Sequence, residues 1–311
     1  MSELDIVGKP YPQIDGMQKA MGKTKFVTDL VLPGMLYGRT LRSPYPHAKI
    51  NNIDTSRAKA LAGVKAAVTY ADTPGIKFGP RSEDWTIFAG DKARFHGDEV
   101  AAVAAIDEDT AEEALELIEV EYEALPFVTD PLEAMQPGAP LVHDDKPANV
   151  AAEFKVDVGE VDRAFDDSHF IYEDSYYLNQ VYQAYMEPMA TLAEVDLSGR
   201  ITMWTGTQIP NLMRMTYAKA LGISADNIRV IVPDYGGAFG GKMENNIHLI
   251  AAILAQKAQK PVKLVNTRYD DFIAGNPRVP MYIDIKLGAT KEGLLTGKEV
   301  KVVGAAGARL V

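Results

Sequence analysis

The run Val100-Ala-Ala-Val-Ala-Ala-Ile106 places the tightest limit on what this chain can become. It is apolar throughout, is bounded by Gly97 and Asp107, and is far shorter than the roughly 20 residues of a membrane-spanning helix, so it predicts a buried strand. Just beyond it, Asp109-Thr-Ala-Glu112 has the form of a capping box, in which a side chain and a carboxylate three residues on satisfy the first free amides of a helix. The spacing predicts a helix through about Ile118, and the alternation over residues 120–125 predicts another strand. This β-α-β pattern points to an α/β or α+β module.

At roughly 150 residues per domain, a chain of 311 residues implies about two domains. Pro126, Pro131, Pro137, Pro140 and Pro147 fall in a span rich in acidic residues, which reads as a meandering connector and places a boundary near residue 150. The expected units are therefore residues 1–150 and 151–311. In the first, residues 34–42 carry a β-like run and residues 53–63 a short helix closed by Gly63. Residues 70–90, punctuated by Thr73-Pro-Gly75 and Phe78-Gly-Pro80, predict a surface loop. In the second, strands are expected over residues 172–177, 190–195, 201–205, 227–232, 262–265 and 282–287. Pro210 suits the first turn of a helix that Gly222 closes, and residues 244–257 place Ile247, Ile250, Ala251 and Leu254 on one helical face. Residues 300–303 begin a return strand, and the sequence stops at Val311 with no closing segment. Either another chain is expected to continue the domain there, or the sequence is an interrupted piece.

Lys and Arg number 32 against 43 Asp and Glu, a formal charge of −11, so nucleic acid is an unfavourable partner. There is no cysteine, which removes disulfides, thiolate metal sites, a Cys nucleophile and iron–sulfur ligands from this chain. The N-terminus has no apolar core of signal-peptide length, and the longest apolar runs are too short for a bilayer; a cytoplasmic protein without a membrane span is expected.

The glycine-rich loop over residues 236–242 follows a strand and precedes a helix. Such a loop lets backbone amides approach an anion at a helix N-terminus, and a plain tight turn explains it equally well. Gly236 to Lys242 matches the first part of a Walker A loop, but Met243 stands where the magnesium-binding Ser or Thr belongs, which argues against an NTPase. The five histidines, at 47, 96, 143, 169 and 248, show no metal-ligand spacing, and no residue is assigned as a metal ligand. His143-Asp144-Asp145 reads as a solvated loop, and Glu112, Glu113, Glu116 and Glu119 as a wetted helix face. Tyr172, Tyr176, Tyr177, Tyr182 and Tyr185 read as strand packing.

Thr205-Gly-Thr-Gln208, the following helix and strand, and Gly236-Gly-Ala-Phe-Gly-Gly-Lys242 together resemble the molybdenum-binding subunit of the xanthine dehydrogenase and aldehyde oxidase family. Asp15-Gly16, residues 22–26, Leu41-Arg-Ser-Pro-Tyr-Pro-His-Ala48 and residues 95–104 resemble its α/β hammerhead domain, and Tyr185-Met-Glu-Pro188 the opening of its first cofactor-binding domain. The phrasing is nearest to large subunits of 4-hydroxybenzoyl-CoA-reductase-like enzymes. The resemblance implies an α+β chain, a hammerhead domain followed by the first molybdopterin-binding domain. It also implies molybdenum-molybdopterin, including the cytosine dinucleotide form, as cofactor, and iron–sulfur and FAD subunits as partners. Gln208 matches the glutamine that hydrogen-bonds a metal oxo ligand, and Phe239 the aromatic beside the substrate ring. The amide of Gly240 matches the one facing the metal ligands, with Gly237, Ala238 and Gly241 as the rest of the cofactor loop. The implied chemistry is transfer of a water-derived oxygen to an aldehyde, N-heterocycle or aromatic acyl-CoA, or a reductive relative of it. The family's catalytic glutamate lies in a second cofactor domain, so no residue here takes that role. A second molybdopterin-domain chain, or a missing C-terminal part, is expected to supply it. Met243 replaces the substrate-binding Glu of purine-oxidising relatives, which disfavours a purine. A non-catalytic assembly subunit is the alternative.

Overall fold

The structure is a computed structural model that describes residues 5–79, 82–243 and 245–309. Its strands are β1 Leu36–Arg42, β2 Ala48–Asp54, β3 Val64–Thr69, β4 Lys92–Ala93, β5 Glu99–Ala105, β6 Glu119–Ala124 and β7 Phe170–Leu178, then β8 Ala190–Val195, β9 Ile201–Thr205, β10 Ile228–Ile231, β11 Val262–Val265, β12 Met281–Ala289 and β13 Leu295–Gly304. They form a seven-stranded mixed sheet in the order β10-β9-β8-β11-β1-β5-β3 and two three-stranded sheets, β13-β12-β7 and β4-β2-β6.

The seven-stranded sheet draws strands from both halves of the chain, joined where β1 runs parallel to β11. The join is tight: a Cβ on Gly38 would lie 3.2 Å from both Leu264 Cγ and Val262 Cγ1, so those side chains would have to give by a few tenths of an ångström. All seven residues of β5 are buried: residues 100–105 as the apolar run predicts, and Glu99 beside them, whereas Ile106, the last residue of that run, lies beyond the strand and is exposed. Because successive side chains of a strand face opposite ways, Ala102 and Ala104 join the core under the helix Asn246–Ala258, and Ala101, Val103 and Ala105 the one under the helix Glu108–Glu116. Alanine and valine leave room for a helix on each face. The helix Asn246–Ala258 is itself buried from Asn246 to Ala255, and the Asn245 side chain caps it by accepting from Ile247 N–H. Glu244, the expected first residue of this helix, lies outside the described residues.

Several expectations change. The strand, helix and strand around β5 do not make one sheet: β5 lies in the large sheet, whereas β6 pairs with β2. Tyr122 and Val120 of β6 still pack against Ala89, Ala93 and the β5 residue Val100, so β6 touches β5 through side chains and not through a backbone ladder. The helix N-cap is Asp107, accepting from Thr110 N–H at 2.8 Å, rather than Asp109. Residues 53 and 54 belong to β2, leaving a helix of only Ser56–Ala60.

Residues 70–79 and 82–90 are not a surface loop. Phe78, Trp85, Ile87 and Phe88 are buried, Phe78 and Trp85 exchange backbone hydrogen bonds at 3.0 and 2.9 Å, and the Arg309 guanidinium lies 5.2 Å over the Trp85 ring. Turn residues shape the backbone here, and the aromatic side chains decide its burial. Pro80 lies outside the described residues. The tyrosine-rich strand β7 is exposed along its whole length; Tyr177 packs across the sheet on Tyr282, with ring centroids 4.8 Å apart, and Tyr185 alone of the five tyrosines is buried.

Candidate functional site

β9 and β10 pair in parallel, with Trp204 opposite Ile231, so the loops that leave their C-terminal ends emerge side by side. Crevices at the carboxyl ends of parallel strands are recurrent ligand sites because such loops diverge there. One loop carries Gln208 and enters the helix Pro210–Leu221, which ends at Gly222 in the left-handed conformation. The other is the glycine loop.

The two loops are stitched together. Gln208 N–H donates to the Lys242 carbonyl at 2.9 Å, and Thr207 Oγ1 to the Met243 carbonyl at 3.2 Å. Gly240 N–H donates to Gln208 Oε1 at 3.0 Å, and Arg278 Nη2 donates to the Phe239 carbonyl at 3.3 Å. The single peptide between Phe239 and Gly240 is thus held at its oxygen by Arg278 and at its nitrogen by Gln208. Phe239 has φ 52° and Gly240 φ 92°, both in the left-handed region that glycine adopts without strain and phenylalanine does not.

Of the residues singled out in sequence, Gln208, Phe239 and Gly240 come together on the outer side. Gln208 is exposed, Phe239 is 64% exposed, and a Cβ added at Gly240 would meet nothing within 4 Å. The Phe239 ring folds over Gly237, where a Cβ would lie 3.0 Å from Phe239 Cε2. Ala238 and Gly241 face inward: Ala238 is buried, its carbonyl accepts from Gly241 N–H at 2.8 Å, and a Cβ on Gly241 would come within 2.7 Å of the Tyr185 ring.

Beneath the loop lies a charge pair that local sequence does not reveal. Lys242 is 1% exposed, and its Nζ donates to Glu187 Oε2 at 2.7 Å and lies 4.8 Å over the Tyr185 ring. Burial pushes the Lys242 ammonium below its ordinary pKa, and Glu187 only partly offsets this. A lysine so enclosed is not presented to a phosphate, which removes the geometric basis of the Walker-like reading. The only trace in sequence was that Glu187 sits inside the motif Tyr185-Met-Glu-Pro188; nothing local pairs two residues 55 apart. Around the pair, burial raises the Tyr185 hydroxyl pKa and pushes that of Tyr182 up to about 12, so both stay protonated. The buried Asp271 carboxylate accepts from Met189 N–H at 3.1 Å and Asn266 Nδ2 at 3.0 Å.

These residues fit one wall of a molybdopterin site. Gln208 spends its oxygen on Gly240, which leaves the Nε2 amide as a donor. The Phe239 ring gives an aromatic face, and Gly240 opens the backbone where any side chain would stand in front of it. Among the described residues no group of three His, Asp or Glu is arranged to hold a metal ion.

Residues 142–310 match the model of the molybdopterin cofactor-binding domain, and residues 21–126 that of the aldehyde oxidase and xanthine dehydrogenase a/b hammerhead domain. A probable xanthine dehydrogenase subunit of Bacillus subtilis is 40% identical over 305 residues, covering 97% of this chain and 41% of that protein. The nicotinate dehydrogenase large molybdopterin subunit of Eubacterium barkeri is 34% identical, covering 98% of this chain and 72% of that protein. The solved CO dehydrogenase of Oligotropha carboxidovorans superposes with a TM-score of 0.85 at 31% identity, over 95% of this chain and 39% of that one. The chain thus spans about two fifths of two of these relatives and most of the third. By both domain models and by these relatives, it belongs to the aldehyde oxidase and xanthine dehydrogenase family, with the hammerhead and cofactor-binding domains of a molybdopterin-binding large subunit.

Proposed function

We propose that this chain forms part of a molybdenum-dependent oxidoreductase, in which it supplies one wall of the cofactor site and none of the electron-transfer centres. The observation that carries the reading is the convergence of Gln208 on Gly240 beside Phe239, at the C-terminal ends of two parallel strands. Molybdopterin, as such or as its cytosine dinucleotide, would supply the oxygen-transfer chemistry. Gln208 Nε2 would donate to that group, Gly240 would allow close backbone approach, and the Phe239 ring would orient a planar substrate.

The substrate class is an aldehyde, an N-heterocycle or an aromatic acyl-CoA, and a relative named for nicotinate favours the heterocycle. With no cysteine among these 311 residues, iron–sulfur clusters are held elsewhere; we assign them, with FAD, to partner subunits, and the remaining cofactor contacts to a second molybdopterin domain, on another chain or on a continuation of this one. We place the hammerhead domain with its connector in residues 1–150, the first cofactor-binding domain in residues 151–311, and the complex in the cytoplasm. Molybdenum and pterin analysis of the chain purified with its natural neighbours tests the reading. Stoichiometric metal and pterin support it; a stable complex without either identifies an assembly subunit instead.

A further inference from the structure

The charged pair under the glycine loop has no part in the function proposed above, yet it holds both ends of the loop. One oxygen, Glu187 Oε2, accepts from Gly236 N–H at 2.8 Å and from Lys242 Nζ at 2.7 Å, so the first and last residues of the loop are tied to a single carboxylate. Glu187 N–H donates back to the Gly236 carbonyl at 3.2 Å, which fixes the carboxylate's own backbone against the loop. The fit is close: a Cβ on Gly236 would lie 2.8 Å from Glu187 Cβ. From Lys242 the chain of contacts continues outward, through its carbonyl to Gln208 N–H and through Gln208 Oε1 to Gly240 N–H.

The Lys242 and Glu187 side chains are 1% and 11% exposed. A charge buried to that degree is costly without its partner, so the pair opens far less readily than a surface ion pair. Seven residues rich in glycine have little intrinsic preference for one conformation, and the two ends held on one oxygen supply it.

We propose that Glu187 and Lys242 are positioning residues: their ion pair sets the conformation in which the loop presents the Gly240 amide and the Phe239 ring. The pair's bearing on catalysis rests on the functional reading above; its bearing on loop shape does not. The test is amide hydrogen exchange on the whole chain, comparing wild type with Glu187→Gln, Lys242→Met, the double variant and Lys242→Arg. Gly240 touches neither side chain of the pair, so its amide reports the loop. Each single neutralising variant is expected to speed Gly240 exchange at least tenfold while Leu192 and Met203, in the sheet behind, change less than threefold. The double variant is expected to be no worse than either single one, and Lys242→Arg, which keeps the charge, to stay within threefold of wild type. Unchanged Gly240 exchange, an equal rise at Leu192 and Met203, or single effects that multiply in the double variant would each overturn the proposal. Should a neutralising variant not fold, Glu187→Asp replaces it: a rise confined to the loop supports the pair's role, and no rise overturns it. Pterin content of the wild-type complex is measured separately. Its absence beside selective loop loosening would sink the functional reading and leave the positioning pair standing.

Discussion

β5 and β7 are both rich in apolar residues, yet every residue of β5 is buried and every residue of β7 is exposed. β5 carries alanine and valine, so helices close on both faces of its sheet. β7 carries Phe170, Ile171, Tyr172, Tyr176, Tyr177 and Leu178, and the nearby helix Val161–Asp166 packs on β13 and β12 instead. The lesson is that apolar content makes a strand, and a neighbouring layer makes a core.

The contrast is sharpest for charge. Glu99, in β5, lies between Arg42 at 3.0 Å and Arg309 at 2.6 Å; burial tends to raise its carboxyl, and the two arginines outweigh this and hold it below the ordinary range. Glu99→Ala leaves both guanidinium groups short of a partner and is expected to lower stability by about 3–5 kcal/mol in denaturant unfolding. Glu173, in β7, pairs with the half-buried Lys286 at 3.0 Å while itself exposed, and Glu173→Ala is expected to cost under about 0.5 kcal/mol. Equal losses would break the comparison.

Acid should act on the buried region first. His248, in the helix behind the large sheet, has Nδ1 2.8 Å from the Asn245 carbonyl and 2.7 Å from the Tyr217 hydroxyl. Burial drives its pKa down to about 4. The unfolded chain takes up this proton near pH 6.5 and the folded chain only near 4. The neutral ring's contribution is therefore complete above pH 6.5, falls as pH drops, and has lost about 3 kcal/mol by pH 4. Unfolding free energies of wild type and His248→Gln, measured from pH 7 to 4, should converge by that amount; parallel curves would show that the ring does not titrate on unfolding.

Gln208 lies between these extremes, anchored at its backbone and exposed at its side chain. Gln208→Ala removes one hydrogen bond to Gly240 and is expected to cost about 1 kcal/mol or less of stability. In the assembled, cofactor-loaded enzyme the same change is expected to lower kcat about 100-fold, because it removes a donor from a site already built. Parallel loss of folding and turnover would assign Gln208 to structure alone.

The smallest expected change in stability, and the most visible in solution, concerns the exposed sheet. Tyr176, Ile283 and Val302 are directly opposed across β7, β12 and β13 and so share one face. The isolated chain is expected to self-associate through such apolar surface and to become monodisperse when co-expressed with a downstream molybdopterin subunit. Light scattering after size exclusion decides it: a thermally stable monomer of the lone chain would show that the sheet needs no cover. Val302→Lys should weaken self-association with little change in unfolding free energy.

Much of this architecture could be read locally. Pro210 and Gly222 bracket their helix, and residues 100–105 are the buried strand their apolar run promised, whereas Gln208 is a plain turn residue until the family resemblance singles it out. Those features follow from backbone preference and apolar patterning, which need only neighbouring residues. The absence of cysteine likewise removes a whole class of chemistry whatever the fold.

Long-range partners decided the rest. Tertiary packing turned residues 70–79 and 82–90 inward through Phe78, Trp85 and Phe88, sent β6 to a different sheet from β5, and joined the two halves along β1 and β11. It also drew Lys242 down onto Glu187, 55 residues away, a pairing that no local pattern announces. Local sequence sets which conformations and side chains are available; burial and charge pairing depend on what lies opposite, and only the folded chain brings those groups within reach of each other.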